Sequence, residues 1–279
     1  MSVQPEVVQE AVRQADAAAE AAGVTVRQAE PGDLAAVIGL FERTWGVGHS
    51  PDRSMLLALD FAGNTVLIAT ATGANAGEPA GKPPGKPAGA TAGTPVGATL
   101  GFLGWTDGVH LHSHMAAVVP WQRGGGVGHA LKLFQRAVCL QHGITEMRWT
   151  FDPLIRRNAH FNLVKLGAEV VRFLPDFYGR LDDVITGSDR SDRFEVRWRL
   201  DSPRTRRALA GARPPAWSGD ETLPLDVDFE RLRAEDPAAA AVRRVESRAR
   251  FRSALARGLR PELTANNDYV FTTDVPDPA

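Results

Sequence analysis

Apolar residues recur at two different periods along the 279-residue chain, and the changes between them outline the elements. Residues 5–22 are rich in Ala and Glu, with Val7, Val8 and Val12 as the only large apolar groups, which predicts a helix with a narrow buried stripe. Val24–Arg27 predicts a short strand. Leu34, Val37, Ile38, Phe41 and Trp45 follow the helical period behind Asp33, a candidate cap. A second helix is expected over Met55–Phe61, then a β-branched strand over Thr65–Thr70. Further strands are predicted at Ala98–Trp105, Val109–Val119, Glu146–Phe151 and Ala168–Leu174, with helices at His129–Gln141 and Asn158–Leu166. Phe194–Leu200 alternates apolar and charged residues, the pattern of a half-buried strand. Beyond Pro203 regularity fades. A helix from about Pro237 to Arg257 is expected to bury Val242, Val245, Ala249 and Leu255, and Tyr269–Thr272 reads as a last strand.

Hairpins mixed with helices predict an α+β fold around a mixed sheet. Glycine then changes the picture, because 27 Gly and 19 Pro are concentrated rather than spread. Glycines at 73, 77, 81, 85, 89, 93, 97 and 101 repeat every fourth residue among prolines, which suits neither a helix nor a central strand. This segment, residues 73–97, is expected to be a flexible insertion between two strands, with a lid or docking arm as the other reading. The hydrophobic share of 43% and charged share of 23% exclude wholesale disorder and collagen. With 32 Lys+Arg against 33 Asp+Glu, no global field draws nucleic acid or a membrane. The single cysteine, Cys139, excludes an internal disulfide and a multi-cysteine zinc site. The chain start lacks a basic-then-apolar leader and no apolar run reaches bilayer length, so a cytoplasmic location is expected.

Candidate chemistry concentrates at Val118-Val119-Pro120-Trp121-Gln122-Arg123-Gly124-Gly125-Gly126-Val127-Gly128-His129. A strand runs into a turn almost devoid of Cβ atoms, and a helix starts there with its first amides unpaired, which makes a main-chain anion site suited to pyrophosphate. A P-loop would need Lys and Ser/Thr after the last glycine, where His129 and Ala130 stand. A nicotinamide-dinucleotide fingerprint is met by Gly124-x-Gly126 and by Asp152 downstream, but its third glycine falls on His129.

Arg123-x-x-Gly126-x-Gly128, preceded by Val118-x-Pro120, resembles the acyl-coenzyme A loop of the GNAT (Gcn5-related) acyltransferases. Asn158-Ala159-His160-Phe161-Asn162-Leu163-Val164-Lys165-Leu166-Gly167-Ala168 is similar to that family's second motif, and LHSHM, WTFDPL and NAHFNLVKLGA resemble an uncharacterised bacterial group within it. The resemblance covers about residues 24–200. It implies a GNAT-like, mostly antiparallel sheet flanked by helices, an N-terminal helical extension over 1–23, an acyltransferase domain over 24–200 and a C-terminal extension over 201–279. It also implies that amides of Arg123, Gly124, Gly125, Gly126, Val127, Gly128 and His129 hold the pyrophosphate. Ala116 and Val118 would pair by main chain with the pantetheine arm, Asn158 would lie near it, and a V-shaped opening between Val109–Val119 and Glu146–Phe151 would admit the thioester.

Acyl transfer to an amine needs a base, an oxyanion site and an acid for the thiolate. His110, His112 and His114 alternate along one strand and so share a face. A metal site is the other reading of three such residues, but i, i+2 imidazoles on a flat strand seldom converge, and no metal is expected. As a general base, His112 and His114 match the His pair of the arylalkylamine N-acetyltransferases of the same superfamily; polar lining of the cleft is the plainer alternative, and His110 reads as a surface group near the turn. The family's acid, a Tyr four residues before the second motif's glycine, is replaced by Leu163; Tyr178 is the candidate substitute. Asp152 is a candidate to orient a His or bind an ammonium, or else to cap a turn. Arg193 is a candidate carboxylate contact. Seven arginines from Arg243 to Arg260 (Arg243, Arg244, Arg248, Arg250, Arg252, Arg257, Arg260) face only Glu246, and a solvated helix face is preferred over a nucleic-acid surface. The expected cosubstrate is acetyl-CoA, with succinyl-CoA open, and the expected partner a small-molecule amine. A homodimer and a non-catalytic acyl-CoA sensor are left open.

Overall fold

The computed structural model describes residues 3–73, 91–179 and 189–275, and packing divides the chain into two compact units, Met1–Met147 and Arg148–Ala279. The first unit runs α1 (Pro5–Ala21), β1 (Val24–Gln28), α2 (Leu34–Trp45), α3 (Arg53–Phe61), β2 (Thr65–Ala71), β3 (Pro95–Gly104), β4 (His110–Val118) and α4 (Val127–Gln141). Its strands pair in the order β1-β2-β3-β4, all antiparallel. Leu34, Val37 and Phe41 of α2 and Leu56 of α3 join Val66, Ile68, Leu100 and Met115 from the strands in one core.

The stripe of α1 differs from expectation. Its buried residues are Ala11 and Ala15, while Val7, Val8 and Val12 are half-buried; two small side chains allow α1 to lie close against α4. Asp33 precedes α2 without capping it, because its carboxylate accepts from Arg27 (2.6 and 3.0 Å) and from the Glu30 amide. Asp52 caps α3 instead, accepting from the Met55 amide at 2.8 Å.

β3 starts at Pro95, inside the stretch expected to be an insertion; residues 74–90 of that stretch lie outside the described residues. Gly97 is therefore a strand residue, as Gly101, within the expected strand Ala98–Trp105, also is. A Cβ on Gly97 would come 2.9 Å from Val127 Cγ1, and one on Gly101 would come 2.6 Å from Gln135 Nε2. Both glycines let α4 approach the sheet.

The second unit takes in most of β5 (Glu146–Phe151), then α5 (Arg156–Ala159), a π-helix His160–Lys165, β6 (Glu169–Leu174), β7 (Arg193–Arg199), α6 (Pro203–Leu209), β8 (Glu221–Leu223), α7 (Phe229–Glu235), α8 (Pro237–Ala256), β9 (Arg260–Leu263) and β10 (Tyr269–Thr272). β5, β7 and β6 lie in that order, β6 and β7 are antiparallel, and β8-β10-β9 forms a separate antiparallel sheet. The α+β class with mostly antiparallel pairing and flanking helices is as expected.

Residues beyond 200 share one core with β6 and β7. Phe251 of α8 meets Phe194 at 4.6 Å and Phe173 at 5.5 Å between ring centroids, and Tyr269 of β10 meets Phe194 at 5.7 Å. The hydroxyl of Tyr269 donates to the Pro153 carbonyl at 2.9 Å. Arg204 of α6 is buried, forks onto Glu262 at 2.6 and 2.8 Å, and donates to the Gly167 and Ala168 carbonyls just past the π-helix. α8 is rotated from its expected orientation: Ala240, Arg244, Ser247, Phe251 and Ala254 are buried, whereas Val242 and Val245 are 56% and 63% exposed and Ala249 is exposed.

Candidate functional site

β4 ends at Val118, a single 3-10 turn covers Pro120–Gln122, and α4 begins at Val127, two residues earlier than expected. Gly124 and Gly126 take φ of +82° and +90°, conformations that favour glycine. Arg123, Gly124, Gly125 and Gly126 are exposed. The first-turn amides of α4 on Val127 and Gly128 have no carbonyl one turn behind them and point along the helix axis toward the positive end of its dipole.

The glycines differ in what they owe to the fold. A Cβ on Gly126 would meet Ala22 at 3.3 Å in a left-handed backbone, so the fold itself requires that glycine. Gly128 is helical, and its nearest atom to an added Cβ is Val118 Cγ2 at an ordinary 3.7 Å. Among the described residues nothing else comes within 4 Å of a Cβ at 128, so the space over this glycine is open. The cradle thus fits a phosphate group by main-chain donors and by the open space at Gly128.

On β4, His112 is half-buried and His114 is exposed at one edge. Their rings lie 5.8 Å apart, and Phe102 of β3 lies 5.3 Å from the first and 5.7 Å from the second. The pairing with β3 shifts register here, so that Leu100 faces Met115 while Gly101 faces Ser113 and His114 is the extra residue of a bulge. The alternation expected along β4 persists through the bulge, with Leu111, Ser113, Met115 and Ala117 buried and His112, His114, Ala116 and Val118 on the more open face, so the two rings are neighbours. Desolvation of the ring by its neighbours lowers the His114 pKa below the ordinary imidazole value, which favours the neutral form. His110 is a correction: it is 6% exposed, its ring lies over Gly104, and its Nδ1 is 2.9 Å from the Gly108 carbonyl oxygen. Ala116 is exposed and Val118 half-buried, both between the bulge and the glycine turn.

Beneath β4 lies a polar chain that periodicity did not reveal. Lys132 Nζ donates to Ser113 Oγ at 2.6 Å, Ser113 to Gln135 Oε1 at 2.7 Å, and Gln135 to Thr65 Oγ1 at 2.8 Å, all buried. Burial drives the Lys132 pKa from 10.5 down to about 7 and pushes the Cys139 thiol up to about 12. Lys132, Gln135 and Cys139 recur at three- and four-residue steps on the inner face of α4, the one sequence signal that marks them.

The second unit holds the other candidates. Asp152 is fully committed: Arg244 donates to both its oxygens at 2.7 Å, and the Leu154 amide donates to Oδ1 at 3.0 Å. Burial alone would raise the Asp152 pKa, but Arg244 holds it below the ordinary carboxylate range. Its expected part in orienting a His or binding an ammonium gives way to an ion pair and a turn cap. Tyr178 is 38% exposed, its hydroxyl lies 3.2 Å from Thr150 Oγ1, and the Arg193 guanidinium sits 5.5 Å from its ring centroid. Asn158 is half-buried on α5. Asn162 is spent on Trp149, whose Nε1 donates to its side-chain oxygen at 3.1 Å, and Leu163 is buried.

Arg244 also donates to Asp189 at 2.6 Å, with Arg233 at 3.5 Å from that carboxylate, and Arg248 holds Asp192 at 3.0 Å through Nε and Asp176 at 3.1 Å. Two arginines of the supposed solvated run therefore neutralise aspartates inside the fold. Among the described residues no cluster of three His, Cys, Asp or Glu is arranged to hold a metal, and no helix is long and apolar enough to cross a membrane.

No protein-family model matches the sequence, and no curated protein matches it. Among solved structures, the chain is similar to Ard1 from Thermoplasma volcanium, at 17% identity over 63% of this chain and 96% of that one, with a TM-score of 0.43. It is likewise similar to YncA of Salmonella typhimurium, a putative acetyltransferase solved with acetyl-CoA, at 17% identity over 64% and 95% with a TM-score of 0.45. An acetyltransferase of the GNAT family from Streptococcus pneumoniae gives 13% identity over 62% and 97%, with a TM-score of 0.46. Likenesses this distant say nothing of a site or an activity.

Proposed function

We propose that the chain is an acyl-CoA-dependent N-acyltransferase of the GNAT kind, with acetyl-CoA as default donor and succinyl-CoA as alternative. The acceptor is an amine of a small molecule, attacking directly within a ternary complex. The observation that carries this reading is the start of α4, where Gly128 is free of any steric demand from the fold and the first-turn amides face outward.

Bound acyl-CoA supplies an activated thioester carbonyl. Amides of Gly124, Gly126, Val127 and Gly128 hold its pyrophosphate, those of Arg123 and Gly125 being spent on the Pro120 and Gln122 carbonyls at 3.3 and 3.1 Å, and Ala116 and Val118 align the pantetheine arm through main chain. His114, whose lowered pKa favours the neutral ring, takes the proton that the acceptor ammonium must lose, and His112 beside it is the alternative base. As the new C–N bond forms and the C–S bond breaks, the nitrogen gives up its second proton to water and the departing thiolate takes its proton from water.

Calorimetric titration with acetyl-CoA tests the donor assignment. The parent chain is expected to bind, and Gly128→Glu to bind at least roughly tenfold more weakly, because a carboxylate at the cradle repels phosphate. Its melting temperature should match the parent's. Equal binding by parent and variant overturns the assignment. For the base, His114→Gln is expected to lower the rate of thiol release about a hundredfold with a panel of small amines, and to remove the acidic limb of the pH–rate profile. An unchanged profile passes the role to His112 or to solvent. Buried Leu163, standing where the family's acid would be, favours one second reading: a sensor that binds acyl-CoA without turnover. Tight binding with no thiol release from any amine supports it.

A further inference from the structure

α8 carries two seams. The inner one, Ala240, Arg244, Ser247, Phe251 and Ala254, packs into the second unit. The outer one is Ala238, Val242, Val245, Ala249, Arg252 and Ala256, all exposed. Its steps are four, three, four, three and four residues, which is the spacing of a coiled-coil seam maintained along the helix. Among the described residues nothing covers it.

We infer that this outer face of α8 is an interface with a second copy of the chain, in which two α8 helices pack antiparallel about a two-fold axis level with Ser247. Three properties of the helix point to its own copy. The spacing reads the same in both directions, so a two-fold axis sets Val245 level with the partner's Ala249, Val242 level with the partner's Arg252 and Ala238 level with the partner's Ala256. An isologous contact requires this kind of self-complementarity. The charges are also polarised: exposed Asp236 stands at the start of α8, where Glu235 and Arg231 neutralise each other at 3.0 Å and Arg243 pairs with Glu246 at 3.4 Å, while Arg250 and Arg252 stand exposed toward its end. Antiparallel packing therefore sets the more basic half of one helix against the less basic half of the other and opposes the helix dipoles. Third, alanine at 238, 249 and 256 allows close approach, while Arg252 lays its aliphatic stem over the partner's Val242. A parallel pair would instead stack Arg252 on Arg252 and like ends on like ends.

Sedimentation equilibrium of the full chain at micromolar concentration is expected to give twice the chain mass, and Val245→Arg to give the single mass. Because Val245 is exposed, the circular dichroism and melting of that variant at low concentration should stay those of the parent. Orientation is read by crosslinking, for which buried Cys139 gives no background. Val245→Cys together with Ala249→Cys should yield a disulfide-linked dimer under mild oxidation, and Val245→Cys alone should not. A single mass for the parent, or crosslinking by Val245→Cys alone, overturns the antiparallel interface. So does a single mass that rises only when a DNA or RNA oligonucleotide is added, which would make the exposed arginines a nucleic-acid surface.

Discussion

Arg244→Ala is expected to destabilise the second unit by about 3–5 kcal/mol, seen as an earlier urea transition in the fluorescence of Trp149 and Trp198. Arg244 is 1% exposed and neutralises Asp152 and Asp189, whose side chains are 11% and 6% exposed. Deleting the cation leaves Arg233 as the cation within 4 Å of both carboxylates, at 3.8 and 3.5 Å and without the forked geometry. The loss is mainly the cost of stranding buried negative charge, not the intrinsic worth of the pair. Adding Asp152→Asn and Asp189→Asn to the alanine variant should therefore recover much of it. If the triple variant is no more stable than Arg244→Ala, the cation's packing over Phe229, 5.0 Å from its ring centroid, is the larger contribution. Arg244→Lys should fall between, since an ammonium cannot fork onto two carboxylates.

Stability should rise by roughly 2–3 kcal/mol between pH 7 and pH 9 through Lys132 alone. Its pKa is about 7 in the fold against 10.5 when free. Between those values the unfolded chain binds a proton that the folded chain does not, so raising the pH favours folding. Below pH 7 both forms are protonated and this contribution is flat. Cys139 acts in the opposite sense, because its thiol moves from 9.0 up to about 12, so that above pH 9 the unfolded chain releases a proton the folded chain keeps. The two effects offset one another from pH 9 to 10.5. Lys132→Met should flatten the rise in urea midpoint, and Cys139→Ala should extend it toward pH 10.5. A Lys132→Met chain with the parent's slope would assign the rise to other groups.

The sequence made strands β1, β2, β5 and β10 visible because each is a short apolar or β-branched run bounded by polar residues. α8 was placed correctly along the chain but turned to the wrong face. Its valines, Val242 and Val245, outweigh a seam that contains Arg244 and Ser247, and the aspartates that make Arg244 a core residue lie 55 and 92 positions away. Lys132 was hidden for the same reason, since its acceptor Ser113 is on another element. Gly97 looked like the tail of the insertion; only the approach of α4 separates it from the glycines before it. At the candidate site, the glycine turn was legible because local backbone chemistry defines it. The bulge at His114 was not, because it is a property of the register between two strands.

The burial of Cys139 also shapes how the proposed chemistry can be observed. The chain has one thiol, 3% exposed and held protonated far above neutral pH, and only a thiolate attacks a disulfide reagent. Acyl transfer from coenzyme A liberates a thiol at each turnover. A chromogenic disulfide can therefore stay in the cuvette throughout the reaction, with the protein neither consuming the dye nor being inactivated by it. Whatever colour does develop without substrate measures how often α4 lifts from the sheet to expose its cysteine, so the blank becomes a clock for local opening at the helix that starts the proposed donor site.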